Sequence, residues 1–222
     1  MSEEKYKSLI LSSRGVTHQQ RHLVSELLRL LPGSQKEVKI DRIKHPGIIQ
    51  ELAEKNACNQ VLYLETKGKV SVLWAGKYPD GPSIKFLLQN IRTSEELKMP
   101  GNCSIRNRHA ISFDSSFSKD NLLKVVKETL TQLFSVPKNA EKVQGSVDRI
   151  FGFANIDSKI FFRNFEVVSE NEIVEIGPRF LLTVVKVMSG FMQNEVLYTN
   201  GKYLGNKKKT KKPKPKFEAL DN

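Results

Sequence analysis

The sequence predicts an α/β protein with mixed sheets, made of two similar halves related by internal duplication and followed by a flexible basic tail. Three observations predict it. Short apolar runs of strand length alternate with two strongly amphipathic stretches of helical period. The order strand, helix, hairpin, Gly-Pro, strand occurs twice, with "GPSIKFLL" at Gly81 and "GPRFLLTV" at Gly177 lying 96 residues apart, and Ser12 and Ser115, at the strand-to-helix turns, 103 apart. From Gly205 the composition shifts to lysine and proline, which cannot bury enough apolar surface to order the chain. The offsets place an N-terminal half at about residues 6–100 and a C-terminal half at about 105–204, and a duplication of this kind predicts that the two halves pack around a pseudo-two-fold axis.

The elements follow in order. "SLILSS" (Ser8 to Ser13) is a strand, and Arg14 and Gly15 carry the chain to a helix whose Thr17 and Gln20 have capping-box spacing. Leu23, Val24, Leu27, Leu28, Leu30 and Leu31 form its buried stripe, leaving His18, Arg21, His22 and Arg29 to the other faces; Pro32 and Gly33 end it. A second helix covers about Pro46 to Lys55. "VLYLETKGKVSVLWAGK" is a hairpin around Lys67-Gly68-Lys69, Asp80-Gly81-Pro82 turns into another apolar strand, and Thr93 to Leu97 is a short capped helix. "AISFDSS" reads as a strand. A helix follows with Ser118 as its cap and Leu122, Leu123, Val126, Leu130, Leu133 and Phe134 in its stripe. "RIFGFANIDSKIFFRNFEVV" is a hairpin turning near Asp157-Ser158, and Gly177-Pro178 opens the last long strand.

With 222 residues, 39% of them hydrophobic, the chain can bury a real core. Lysine and arginine number 36 against 24 acidic residues, a formal +12, which is the footprint of a polyanion binder. The tail holds seven lysines against Glu218 and Asp221, a net +5, so the body itself carries +7. Cys58 and Cys103 form no CxxC pair, which fits a reducing compartment better than a zinc site or a secreted scaffold. The opening "MSEEKYKS" has no apolar segment, and no run nears the ~20 apolar residues that span a bilayer. An intracellular protein without a membrane segment is expected.

Catalysis finds little support. No GxxxxGK[ST], GxGxxG or HExxH occurs, and His18, His22, His45 and His109 lack carboxylates at metal-binding spacing. His18 and His22 share a helical face beside Arg21 and Arg29, which reads as a solvated basic face. Asp114, Asp148 and Asp157 sit near turns or strand ends. No catalytic residue, no metal and no cofactor is therefore expected. Binding is better supported. Strand parity puts Phe161, Arg163, Phe165 and Val167 on one face and Ile160, Phe162, Asn164 and Glu166 on the other. A cation between aromatics can stack on bases or meet phosphate; alternatively, Phe161 and Phe165 are core and Arg163 pairs with Glu172 or Glu175. Arg179 poses the same choice, with Glu175 across the Gly-Pro corner. "SSRG", ahead of a helix N-terminus, offers Arg14 near free amides that suit phosphate. Lys207, Lys208, Lys209, Lys211 and Lys212 belong to a run that reads as a nuclear localisation signal, an RNA-contacting arm, or both, or else as a solubility tail. The candidate RNA-binding set is thus Arg14, His18, Arg21, Arg163, Arg179 and these lysines.

Together, "LILSSRGVTHQQRHLVSELLRLLP", "DGPSIKFLLQNIRTSEELKMPGNC", "DRIFGFANIDSKIFFRNFEVV" and "VEIGPRFLLTVVKV" resemble the Brix domain, over residues 1–204, with 205–222 as the lysine-rich tail. The resemblance implies two related α/β halves similar to anticodon-binding domains of class II tRNA synthetases. It also implies a non-catalytic protein of the nucleus and nucleolus that binds pre-rRNA and other ribosome assembly factors, with the EBNA-binding-protein family as expected direct partner and ribosomal proteins nearby. "KFLLQN", "EELK" and "GNC" are most similar to the branch that serves the large ribosomal subunit. A protein-interaction scaffold with little RNA contact, or a sibling acting in small-subunit assembly, are the alternatives. The family's C-terminal half carries a segment likened to a sigma-factor nucleic-acid-binding motif, which falls on the region of Arg163 and "GPRF".

Overall fold

Two strands from opposite halves of the chain pair at the centre of one mixed, 11-stranded sheet. The computed structural model describes residues 7–31, 33–37, 40–41, 46–99, 109–135 and 147–203. Its strands are β1 (Ser8–Ser12), β2 (Gln35–Lys36), β3 (Gln60–Lys67), β4 (Val70–Lys77), β5 (Ser83–Arg92), β6 (His109–Phe113), β7 (Arg149–Ile156), β8 (Lys159–Ser169), β9 (Glu172–Glu175), β10 (Arg179–Met188) and β11 (Val196–Thr199). The helices are α1 (His18–Leu30), α2 (Gly47–Lys55), α3 (Ser94–Leu97) and α4 (Asn121–Phe134).

The sheet order is β2-β1-β3-β4-β5-β10-β8-β7-β6, with β11 beside β10 and β9 beside β8. From the antiparallel β5/β10 pair the pattern outward is the same on both sides. β4 and β3 follow antiparallel and then β1 parallel; β8 and β7 follow antiparallel and then β6 parallel. The short β2, β9 and β11 are additions that the alternation of apolar residues did not predict.

The helices divide the two faces unequally. Leu23, Val24 and Leu27 of α1 and Val126, Leu130, Leu133 and Phe134 of α4 pack in one cluster with Leu62, Phe86, Phe153, Phe162 and Phe180 from the sheet. This is the main core, and burial of such apolar surface stabilises it at roughly 25 cal/mol per Å². On the other face, α2 places Ile49 and Ala53 against Leu9, Leu11, Val61 and Tyr63, covering the β1/β3 end. Among the described residues no helix packs against that face over β8 and β7.

Local chemistry explains the helix starts. Thr17 caps α1 through a reciprocal box: its hydroxyl accepts from the Gln20 amide at 3.3 Å, and Gln20 Oε1 accepts from the Thr17 amide at 2.8 Å. The expected Ser118 cap of α4 is corrected. Asp120 caps the helix, its Oδ1 accepting from the Leu122 amide at 3.0 Å, while Ser118 ends a separate 3₁₀ turn, Ser115–Ser118, that buries Phe117. The carboxylate two residues later reaches a free amide of the first helical turn, so the serine is left to the preceding turn. Asp157 and Ser158 both have positive φ, 51° and 61°, as a two-residue hairpin turn requires. Pro32, the Gly101-Asn102 loop and the tail from residue 205 lie outside the described residues.

Both Gly-Pro corners back onto the opposite half. Gly81 has φ 86°, and a Cβ there would meet the Ser189 carbonyl oxygen and, at 2.7 Å, Gly190 Cα. Gly177 has φ 71°, and a Cβ there would stand 2.9 Å from Leu97 Cδ1 and 3.2 Å from Ser94 Cα. Only glycine tolerates both the dihedral and the approach. Side chains fix each corner. Ser83 Oγ donates to the Gly190 carbonyl and accepts from the Met192 amide, both at 2.7 Å. Asn164, 1% exposed, donates from Nδ2 to the Gly177 carbonyl at 2.6 Å.

Replacing Asn164 by Ala strips a buried carbonyl of its donor and is expected to cost about 1–3 kcal/mol in urea denaturation. Lys159→Ala, exposed on the same strand, should stay within about 0.5 kcal/mol. His109 supplies a pH test. Its ring lies tilted against Phe151, centroids 4.2 Å apart, and its Nε2 meets the Phe134 carbonyl. Burial lowers its pKa from the ordinary 6.5, against the opposing pull of that carbonyl. The unfolded chain therefore binds the proton more readily, so this contribution is present above pH 6.5 and is lost as pH falls below it. Stability measured between about pH 7.5 and 5.5 should drop more steeply in the wild type than in His109→Gln.

Candidate nucleic-acid interface

Directly opposed residues on neighbouring strands share a sheet face. Phe161 lies opposite Leu181 and Ala154, Arg163 opposite Gly152, and Phe165 opposite Ile150 and Glu175. Arg179 lies opposite Arg92. These residues occupy the face away from α1 and α4, while Ile160, Phe162 and Asn164, the alternate positions of β8, are buried. The parity read from "KIFFRNFEV" thus holds. The alternative that Phe161 and Phe165 are core is corrected: both are half-buried, because the helices pack on the opposite side of the strand.

Arg163 and Arg179 converge on one carboxylate. Glu175 Oε2 is 3.4 Å from Arg163 Nη1, and its Oε1 is 3.6 Å from Arg179 Nη1. The partner is Glu175 rather than Glu172. The Glu175 side chain is 14% exposed, while those of Arg163 and Arg179 are 46% and 39% exposed. Two guanidinium charges against one carboxylate leave a net positive charge, and each exposed pair stabilises by only ~0–1 kcal/mol. The carboxylate therefore orients the arginines without neutralising them. Ion pairing and outward contact are compatible at this site rather than exclusive.

Beside this cluster runs a groove of about 940 Å³. Arg92, Arg163, Arg179, Lys69 and Phe161 line it, with Gln19 and Gln20 of α1 on the far wall. Gln19 is held there by the Ile91 carbonyl at 2.7 Å and by Glu96. Farther along the open face, Lys186 lies opposite Lys85, which lies opposite Trp74. Lys85 Nζ stands 5.1 Å from the Trp74 ring centroid. Burial pulls the Lys85 pKa below the ordinary lysine value, with Lys186 and Lys67 adding to the shift and Glu65 opposing it. Arg92, Lys69, Lys85 and Lys186 were absent from the expected set. Parity places each on a strand face, but the register that gathers them around Arg179 and Trp74 is not visible in any one strand.

Arg14, His18 and Arg21 lie elsewhere. His18, Arg21, His22 and Lys36 line a separate hollow of about 290 Å³ on the side of α1 turned from Gln19 and Gln20. The His18 and His22 rings are 4.1 Å apart, and His22 Nδ1 is 3.1 Å from Glu95 Oε2. Arg21 Nη1 donates to the Val16 carbonyl at 3.3 Å. Arg14 pairs with Asp41 at 3.1 Å, both highly exposed. The structure therefore unites Arg163 with Arg179 and divides them from the α1 residues. Lys207, Lys208, Lys209, Lys211 and Lys212 lie outside the described residues.

Of the acidic residues considered for metal chemistry, Asp114 accepts from the Ser116 amide at 2.7 Å and from the Asn155 amide. Among the described residues no group of His, Cys, Asp and Glu is arranged to hold a metal ion, and no helix is long and apolar enough to cross a membrane.

Comparison with known proteins agrees with this architecture. The family model of the Brix domain matches residues 13–186, which include both Gly-Pro corners and the Arg163–Glu175–Arg179 cluster. The Ribosome biogenesis protein BRX1 homolog of Xenopus laevis is 41% identical over 209 residues, covering 91% of this chain and 62% of its own length. The Homo sapiens homolog is 41% identical over 203 residues, covering 90% and 58%. Ribosome biogenesis protein BRX1 of Saccharomyces cerevisiae is 37% identical over 214 residues, covering 90% and 74%. The chain thus spans about three-fifths of the length of these vertebrate relatives. In fold, it is similar to the crystal structure of a probable ribosomal biogenesis protein from Aeropyrum pernix K1, with a TM-score of 0.54 at 14% identity, over 80% of this chain and 96% of that one. On the extent of the matched domain and the identity to these relatives, the chain belongs to the Brix domain family.

Proposed function

We propose that this chain is a ribosome biogenesis factor that binds pre-rRNA of the large subunit and other assembly factors and performs no covalent chemistry. The observation that carries the RNA role is the cluster of Arg163 and Arg179 on Glu175, with Arg92 and Phe161 beside it, at the part of the sheet face over β8 and β7 that no helix covers among the described residues. Guanidinium groups meet phosphates through paired donors, and aromatic rings meet bases. The names of the relatives support the biogenesis role. The formal charge of +12 supports a polyanionic partner.

The same reading assigns residues 1–204 to a Brix domain whose halves, about 6–100 and 105–204, arose by duplication and resemble anticodon-binding domains. The equal strand order on both sides of β5/β10 supports it. Residues 205–222 act as a basic arm, with nuclear and nucleolar residence and an EBNA-binding-protein family member as direct partner, alongside ribosomal proteins. No cofactor is needed.

A scaffold reading has one observation in its favour: Val168 and Ile173, each 55% exposed, present apolar surface near the β8/β9 turn. Protein contacts retained in full after RNase treatment of assembled particles would favour the scaffold; their collapse would favour direct RNA binding.

Titration with large-subunit rRNA fragments over a salt series should give log affinity falling with log salt by ~0.7–0.9 per phosphate neutralised, and less steeply once the lysine arm is removed. Flat or absent binding contradicts the RNA role, and preference for small-subunit rRNA reassigns the chain to the sibling branch. Arg179→Ala should weaken RNA binding roughly threefold to tenfold while changing stability by less than about 1 kcal/mol. Lost stability with unchanged RNA affinity would make the arginine purely architectural.

A further inference from the structure

A second hollow, of about 400 Å³, opens on the same uncovered face and shares Phe161 and Arg163 with the larger groove. Its floor is made of small residues: Gly152 and Ala154 of β7 and Ser112 of β6. Phe161 and Phe165 stand at its two ends, four residues apart on β8, which is roughly 13 Å of strand, and Arg163 projects between them. The position of the Phe165 ring depends on the glycine. A Cβ on Gly152 would stand 3.1 Å from Phe165 Cε2 and 3.7 Å from Cδ2, so the glycine is what lets the Phe165 ring lean over β7 and form that end of the recess.

From this geometry we infer that the hollow receives one unpaired RNA base, and that the chain binds single-stranded rather than helical RNA through this face. The inference rests on the RNA-binding reading above. The recess has small residues beneath, an aromatic wall at either end and a planar guanidinium between, which are the surfaces on which splayed bases stack. A base held in an A-form helix is paired and stacked on its neighbours and cannot enter a closed-ended recess; a base turned out of the strand can. Charge is arranged to match. The adjoining groove carries Arg92, Arg179 and Lys69, so a phosphate next to an inserted base, on the Phe161 side, has cations within reach. Asp114, the acidic residue lining the recess, has its carboxylate turned onto the Ser116 and Asn155 amides.

The test uses the full chain at one fixed salt concentration and fluorescence anisotropy with two probes: an unstructured single-stranded RNA of about 12 nucleotides and a blunt duplex of the same sequence. Single-stranded RNA should bind at least about tenfold more tightly. Phe165→Ala should weaken it roughly tenfold and Phe165→Tyr should not. Gly152→Val, which pushes the Phe165 ring from its seat and removes neither ring nor charge, should weaken it similarly, with thermal melting checking that the variant folds. Duplex binding should move by less than about twofold in all three. Equal affinity for both probes, or single-strand affinity indifferent to Phe165→Ala, overturns this inference and leaves the RNA role standing. No binding of either probe overturns both. Release of a protein partner from assembled particles by Phe165→Ala, at unchanged RNA affinity, would give the recess to a protein side chain and overturn the inference as well.

Discussion

The antiparallel pairing of β5 with β10 is the constraint on which the rest of the molecule depends. It joins the halves into one sheet, and it sets their corners at opposite ends of a single ladder, with Ser83 opposite Met188 and Arg179 opposite Arg92. Each corner glycine is pressed against the other half, Gly81 on Ser189 and Gly190 and Gly177 on α3. A one-residue slip of the pair would turn every inward side chain outward and break both corner contacts together. Register, inter-half packing and the position of Arg179 are therefore one specification.

The two corners do different work from the same frame. At the first, Ser83 is buried and its hydroxyl ties down the segment around Gly190 and Met192. At the second, the equivalent position is Arg179, and anchoring passes to Asn164, which holds the Gly177 carbonyl from the neighbouring strand. The arginine is thereby released to face outward, with Glu175 to orient it. Guanidinium groups suit this place because their planar forks can keep one edge on a carboxylate and present another. A lysine there would offer a point charge without that geometry.

Much of this was legible in the sequence, and what was not has identifiable causes. The two long helices, their stripes and the Thr17 box follow from side-chain period and local hydrogen bonding, which act within one element. The parity of β8 was equally readable, since alternation is a property of a single strand. The choice between core and surface for Phe161 and Phe165 was not, because it depends on which sheet face α1 and α4 cover. Arg92 was missed for a related reason: only the register of β5 on β10 brings it beside Arg179. Arg14, His18 and Arg21 shared one candidate set with Arg163 and Arg179, yet α1 separates them, with Gln19 and Gln20 facing one hollow and His18 and Arg21 the other. The Ser118 cap failed locally, because the helix begins two residues later, where Asp120 caps it, and Ser118 ends the preceding 3₁₀ turn.

The central claim is that RNA is met on the uncovered sheet face, by residues that the β5/β10 register gathers from separate strands. Ultraviolet crosslinking of the chain within assembling ribosomal particles, with nucleotide adducts mapped by mass spectrometry, tests it most directly. The account predicts adducts on the peptides spanning Phe161 to Phe165 and on that carrying Arg179. Adducts confined to the α1 surface around His18 and Arg21, with none on the sheet face, would contradict it.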